Sequence, residues 1–203
     1  MEVIKKEENG LMTNDLVFAK VKPNAIIPTK EEENAGYDIY ACFEDDFIII
    51  PRFSTVLIPT GIAAAVSDKY YLQVHERGST GSKGMKYGAG VIDSSYRGEI
   101  FVCINNVNER DIIISKLNEK DLIDEYSVED EDGDAMIIYG KESYERVYFV
   151  GDDFDPIIYP YEKAIAQLVV HEVPKMNVKE ITYEELLAIP SKRGTGALGS
   201  SGK

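Results

Sequence analysis

The chain has 203 residues, with 22 Lys+Arg against 36 Asp+Glu, a formal net charge of −14 and 44% hydrophobic residues. That is enough for one globular domain of ordinary size, or one domain plus an elaboration. The acidic balance repels the phosphates of free nucleic acid, no apolar run approaches the about 20 residues of a membrane span, and the N-terminal stretch lacks the apolar core of a signal peptide, so neither a nucleic-acid nor a membrane partner is expected.

In chain order, residues 1–14 are polar and read as a frayed end. Leu16–Val21 alternates as a strand, and Ile26–Ile27–Pro28 ends a second short segment. A charged turn, Thr29–Asn34, leads into AGYDIYACF. Phe47–Ile50, Ser54–Ile58, Gly61–Val66 and Tyr70–Val74 are short strands punctuated by Pro51, Pro59–Thr60 and Ser67–Lys69. Val91–Ile92, Glu99–Asn105, Ala164–Val170 and Ile181–Tyr183 continue the series. Many short strands with turn signals every eight to twelve residues or so predict an all-β sandwich, jelly roll or barrel. Only Tyr183–Ala188 and Asn118–Tyr126 read as helical. Cys42 and Cys103 lie in apolar surroundings, far apart in sequence, and read as buried free thiols.

One stretch departs from this rhythm. Residues 109–155 hold 16 Asp+Glu against 5 Lys+Arg, a net of −11 out of the chain's −14. Within it Ala135–Tyr139 and Arg146–Val150 read as strands joined by a turn at Gly140–Lys141. The segment therefore reads as an inserted hairpin with an acidic loop, Glu129–Asp134. A helix-flanked calcium loop needs a bidentate glutamate at its twelfth position. Counting from Glu129 or Asp130 reaches Gly140 or Lys141, so a solvated loop is the better reading.

The chemistry-bearing stretches lie elsewhere. AGYDIYA places Asp38 after a glycine. ERGSTGSKG offers Arg77, Ser79, Thr80, Ser82 and Lys83 in a glycine-punctuated loop suited to phosphate, though without Walker spacing. GVIDSSYRGEI sets a carboxylate, Asp93, in an apolar strand pattern beside Tyr96. IAQLVV carries one polar residue, Gln167, which needs a partner if buried. The tail 191–203 is rich in Gly and Ser around Arg193, a composition that is flexible and can wrap phosphate oxygens.

In order, AGYDIYA, RGSTGSKG, GVIDSSYRGE, AIAQLVV and RGTGALGSSG resemble the five signature motifs of the trimeric all-β dUTPases, in the phage and bacterial form with an insert between the third and fourth motifs. The resemblance covers about 17–107 and 161–203. It implies a jelly-roll-like distorted β-barrel of residues 15–108 and 156–190, an acidic insert over 109–155 and a C-terminal lid over 191–203. It also implies Mg²⁺-dependent hydrolysis of dUTP to dUMP and pyrophosphate, which limits uracil incorporation into DNA and supplies dUMP. The expected location is the cytoplasm of a bacterial host or phage-infected cell.

The implied roles fall on particular residues. Asp93 activates the water that attacks the α-phosphorus. Tyr96 packs beneath the deoxyribose and excludes a 2′-hydroxyl. The backbone at Gly90 and Val91 reads the uracil edge. Arg77, Gly78 and Ser79 hold phosphate oxygens, with Gln167 near the α-phosphate. Asp38 steadies Mg²⁺ through a water. Arg193, Leu198, Gly199, Ser200 and Ser201 close over the site, and each site of the homotrimer is shared by three chains.

Three departures from the family pattern stand out. A hydroxyl usual after the arginine is replaced by Gly78, leaving Ser79 or Thr80 to substitute. The stretch from Lys83 to Asp93 is short. Leu198 stands where a stacking aromatic is usual. A dCTP deaminase, which shares the fold, needs a further acid/base ten residues beyond the aspartate, where this chain has Cys103. A regulatory role through the acidic insert, engaging a basic protein partner, is the other alternative.

Overall fold

A computed structural model describes residues 15–129, 135–141, 144–149 and 155–196. It separates into two compact units, Met1–Val173 and Pro174–Lys203. The first unit runs β1 (Leu16–Lys20), β2 (Gly36–Ile39), β3 (Phe47–Ile50), β4 (Thr55–Pro59), β5 (Ile62–Val66) and β6 (Tyr70–His75). A one-turn helix follows, α1 (Gly78–Gly81), then β7 (Met85–Gly88), β8 (Val91–Ile92), β9 (Phe101–Asn106) and β10 (Ile112–Ser115). The acidic region gives α2 (Glu119–Tyr126), β11 (Ser127–Glu129), β12 (Ala135–Lys141) and β13 (Tyr144–Phe149), and β14 (Ile157–Pro160) and β15 (Ala166–Glu172) complete the unit.

The strands form small open sheets, ordered β2-β15-β6-β8, β14-β10-β3, β4-β9-β7, β11-β12-β13 and β1-β5. The predicted all-β class holds, as several small sheets among the described residues. Alternation sets the faces. In β6, Leu72 and Val74 are buried while Tyr71, Gln73 and His75 line the other face. In β9, Val102, Ile104 and Asn106 turn inward.

The strand β10 is buried on both faces. It pairs with β3 antiparallel and with β14 parallel. Ile112 and Ile114 join the main core, and Ile113 joins a second cluster with Phe47, Ile49 and Leu122 of α2. Each such isoleucine contributes about 2–3 kcal/mol through burial. Residues 109–155 thus include a strand of the core, hidden from a charge count by its acidic neighbours. Below it, Arg110 Nε donates to the Asp155 carbonyl at 2.6 Å, while its Nη2 donates to the Pro156 carbonyl at 3.2 Å and pairs with the Asp155 carboxylate. The α2 helix begins one residue later than expected, because Asn118 is its cap and accepts from Asp121 N. Its last residue, Tyr126, donates to the Asp46 carboxylate, which together with partial burial pushes the phenol up to about 12.

Some expected elements differ. The second short segment, ending at Ile26–Pro28, forms no ladder; beside it is a single bridge between Thr29 and Asp38. Ile181–Tyr183 is not a strand either, since Thr182 caps the helix α3 (Tyr183–Ala188) of the second unit. Its hydroxyl accepts from Glu185 N at 3.1 Å, and Glu185 returns the bond to Thr182 N at 2.8 Å. A six-residue helix is marginal alone, so this capping box is what starts it. The strand β12 runs through Gly140 and Lys141, where a turn is predicted. Cys42 and Cys103 are both free, but Cys103 is half-buried, not buried. The frayed end at 1–14 and most of the acidic loop, 130–134, lie outside the described residues. Among the described residues, no helix is long and apolar enough to cross a membrane.

Candidate active site

The apolar strand pattern of GVIDSSYRGEI ends where β8 does. Val91 and Ile92 pair with Gln73 and Leu72 of β6. The chain then turns, with Tyr96 N donating to Asp93 O at 3.0 Å. This turn leaves Asp93 exposed, and among the described residues nothing bonds its carboxylate. It opens into a cleft of about 230 Å³ lined by Val91, Ile92, Asp93, Tyr96, Glu99, Phe101, Cys103 and neighbours. The Tyr96 hydroxyl donates to Glu99 O at 2.9 Å. A Cβ on Gly98 would lie 2.4 Å from that hydroxyl, so only glycine lets the ring fold back. Gly90 answers first to strand packing: its carbonyl accepts from Val74 N, and a Cβ there would stand 2.8 Å from Val74 O. The Glu99 carboxylate is engaged by Gly61 N at 2.7 Å, which leaves Asp93 as the free carboxylate of this cleft.

A second cleft, about 420 Å³, is polar and lined by Asn34, Ala35, Gly36, Asp38, Arg77, Gly78, Ser79 and Gln167. Register builds it. Gln167 of β15 stands opposite Asp38 of β2 on one side and His75 of β6 on the other. Gln167 is half-buried, and its Nε2 donates to Glu76 O at 2.7 Å. Gly36 gives it room, since a Cβ there would meet Gln167 Oε1 at 2.5 Å. Arg77 grips Asp38 in a fork, Nε to Oδ1 at 2.9 Å and Nη2 to Oδ2 at 3.1 Å. Its Nη1 reaches the Ala164 carbonyl at 3.2 Å and Ser79 Oγ at 3.4 Å.

The loop that sequence alone reads as irregular contains α1, locked by Thr80. Its buried hydroxyl accepts from Arg77 N and donates to Arg77 O, each at 3.1 Å. Thr80 is therefore spent on the loop's own backbone. Ser79 is exposed on the cleft, and Gly78 faces open space. Of the two hydroxyls that could replace the one absent at Gly78, only Ser79 is presented.

The charges in this second cleft cancel. Arg77 and Asp38 neutralise each other, so an anionic ligand needs a further cation. Among the described residues no three His, Cys, Asp or Glu side chains gather as a metal cage. A single half-exposed carboxylate, with lone pairs to spare beyond the fork, does not hold a divalent ion by itself. It does fit a hydrated Mg²⁺ carried mainly by a ligand's phosphates.

The predicted residues thus fall into two groups. Asp93, Val91 and Tyr96 share the first cleft; Asp38, Arg77, Gly78, Ser79 and Gln167 share the second; no residue lines both. Arg193 belongs to the second unit, where its Nε turns onto Gly196 O at 2.8 Å. Leu198, Gly199, Ser200 and Ser201 lie outside the described residues.

Comparison with known proteins agrees with these motifs. The dUTPase family profile matches residues 22–119. The deoxyuridine 5′-triphosphate nucleotidohydrolase of Debaryomyces hansenii is 32% identical over 89% of this chain and 82% of its own length. That of Candida albicans is 30% identical over 98% of this chain and 94% of its own. This chain belongs to the dUTPase family. Among solved structures, the dUTPase of Staphylococcus bacteriophage 80alpha with dUPNHPP superposes with a TM-score of 0.64 at 23% identity, covering 94% of this chain and all of that one. That likeness supports the all-β dUTPase fold. The fold also supplies cleft residues that motif reading passes over. Leu57 and Phe101 wall the Asp93 cleft from adjacent strands, and only the β4–β9 register brings them together.

Proposed function

We propose that this dUTPase-family chain hydrolyses dUTP to dUMP and pyrophosphate by attack of water on the α-phosphorus, with Asp93 as general base. The observation that carries the reading is an exposed carboxylate, without a partner among the described residues, sharing a cleft with Tyr96 at the end of β8. Water's oxygen bonds to the α-phosphorus, the bond from that phosphorus to the bridging oxygen breaks, and the water proton passes to Asp93. Val91 and Gly90 face the uracil edge, and Tyr96 packs beneath the deoxyribose, where a 2′-hydroxyl meets the ring. Arg77, Ser79 and Gln167 bind phosphate oxygens in the second cleft, with Arg193 and the tail residues 198–201 closing over them. Mg²⁺ neutralises the triphosphate when bound, and Asp38 would hold it through a water.

The two clefts belong to different subunits of a homotrimer. Asp38 sits in β2 and Asp93 follows β8, the two edge strands of one four-stranded sheet. Three strand spacings put about 14 Å between those edges. That separation supports a reading in which a nucleotide whose phosphates occupy the Arg77 cleft takes its Asp93 from a neighbouring copy. The acidic residues 109–155 outside β10 are an accessory to the enzyme, and a basic protein is the kind of partner they would take.

The test is to supply dUTP, dCTP, dTTP and UTP with Mg²⁺ and to read nucleoside monophosphate and pyrophosphate. Rapid turnover of dUTP alone is expected. Asp93→Asn should lower kcat by roughly 10²–10⁴-fold, the usual worth of a general base, while still binding dUTP. An active Asp93→Asn enzyme overturns the assignment, and release of ammonia from dCTP would favour the deaminase alternative.

A further inference from the structure

Beside the second cleft stand two tyrosines whose hydroxyls bond the chain at the entry to β15. Tyr159, on β14, is only 2% exposed, and its hydroxyl donates to the Ala164 carbonyl at 2.8 Å. Tyr87, on β7, donates from its half-buried hydroxyl to the adjacent Ile165 carbonyl. Neither residue lines either cleft. Packing needs the rings but not the oxygens, because phenylalanine fills the same volume. The two hydroxyls do one shared thing: they fix consecutive carbonyls at the entry to β15.

The first of those carbonyls is where Arg77 is attached. The Ala164 carbonyl that accepts from Tyr159 also accepts from Arg77 Nη1 at 3.2 Å. The same guanidinium forks Asp38 and touches Ser79 Oγ. A chain of bonds therefore runs from a buried phenol, through one carbonyl, to every charged group of the cleft. Burial pushes both phenols up, against hydrogen bonding from Ser79 at Tyr159 and from Thr80 at Tyr87, so each stays a protonated donor at neutral pH.

We infer that Tyr159 and Tyr87 are positioning residues for the phosphate cleft: Tyr159 sets the Ala164 carbonyl on which Arg77, and through it Asp38 and Ser79, are aligned, and Tyr87 holds the next carbonyl, Ile165, and so the course of the same strand entry. This rests on the second cleft being the phosphate site. Without the Tyr159 hydroxyl, Arg77 is the remaining side-chain donor to the Ala164 carbonyl among the described residues. The guanidinium is then drawn toward that carbonyl and away from its fork.

The experiment measures kcat and KM for dUTP, and Ki for deoxyuridine, with Tyr159→Phe, Tyr87→Phe and, separately, Arg77→Ala. Deoxyuridine carries no phosphate, so it reports the first cleft alone. The phenylalanine variants should raise KM for dUTP about five- to tenfold with kcat changed less than about twofold, and leave the deoxyuridine Ki where it was. A dUTP KM within about twofold of the parent in the folded variants overturns the inference. So does a deoxyuridine Ki that rises in step with KM, because a merely structural loss would disturb both clefts. Either phenylalanine variant carries the test if the other does not fold. If Arg77→Ala itself leaves the dUTP KM unchanged, the phosphate reading of the cleft fails first, and that failure is distinct from a normal Tyr159→Phe enzyme beside a defective Arg77→Ala one.

Discussion

At the scale of single residues, several glycines of the signature motifs are explained by what leans on them. Gly36 accommodates Gln167, Gly90 the β6 backbone, and Gly98 the Tyr96 ring. Each is a close approach that a motif records only as a letter. Gly98 gives the sharpest consequence. A methyl there would lie within 2.4–2.6 Å of the Tyr96 hydroxyl and Cζ, so the ring must swing and give up its bond to Glu99 O. If Tyr96 is the surface that meets the sugar, Gly98→Ala should relax the discrimination between dUTP and UTP by roughly tenfold in kcat/KM, the effect of a lost steric contact of a few kcal/mol at most. Unchanged discrimination would assign selection of the sugar to another residue. The division of labour in the Arg77 loop was not open to sequence reading. Ser79 and Thr80 are adjacent hydroxyls in a glycine-rich run, and only the burial of Thr80 against the Arg77 backbone shows which of them is spent.

At the scale of elements, what could be read followed from periodicity, and what could not followed from context. Phe47–Ile50, Val91–Ile92 and Tyr183–Ala188 match their predicted bounds because two-residue alternation or a short apolar run is flanked by clear stop signals. Ile181–Tyr183 misled because its β-branched residues also spell the entry to a capping box, and the Glu185 that completes the box lies beyond the strand pattern. The strand β10 was obscured for the opposite reason. Ile112–Ile113–Ile114 is a plain buried run, but it stands inside a stretch whose net charge suggests a solvated insertion. That distinction decides how the acidic region is to be removed. Excising 109–155 takes out the middle strand of β14-β10-β3 and exposes Ile49, Ile50, Tyr159 and their neighbours, so no folded protein should be recovered. Excising only 127–149 keeps β10, the α2 helix over Phe47 and Ile49, and the Arg110–Asp155 tie. That protein should retain its cooperative thermal transition and its dUTP hydrolysis. A folded, active 109–155 deletion would show that β10 is dispensable, against its complete burial.

At the scale of the whole molecule, the separation of the two clefts makes a prediction no single variant can test. If one chain held a complete site, an Asp93→Asn chain and an Arg77→Ala chain would each be defective, and mixing them would restore nothing. If the Asp93 cleft of one copy faces the Arg77 cleft of the next, the outcome differs. A site is intact whenever its base comes from an Arg77→Ala chain and its phosphate cleft from an Asp93→Asn chain. Random reassembly of equal amounts into closed rings makes that coincidence in about one site in four. Unfolding the two variants together and refolding them should therefore return roughly a quarter of the parent's dUTPase rate, from two preparations that are nearly inactive when refolded apart. The recovered activity should also show the parent's KM, because every working site contains only parental side chains at the positions that touch dUTP. The −14 charge of each chain bears on the same assembly. Like-charged subunits associate against their mutual repulsion, so recovery should be faster at moderate salt, where the screening length falls to about 10 Å, than at very low ionic strength. Absence of any recovery under conditions where the parent itself refolds to full activity would place both clefts' work within one chain, with the nucleotide spanning the about 14 Å between the β2 and β8 edges.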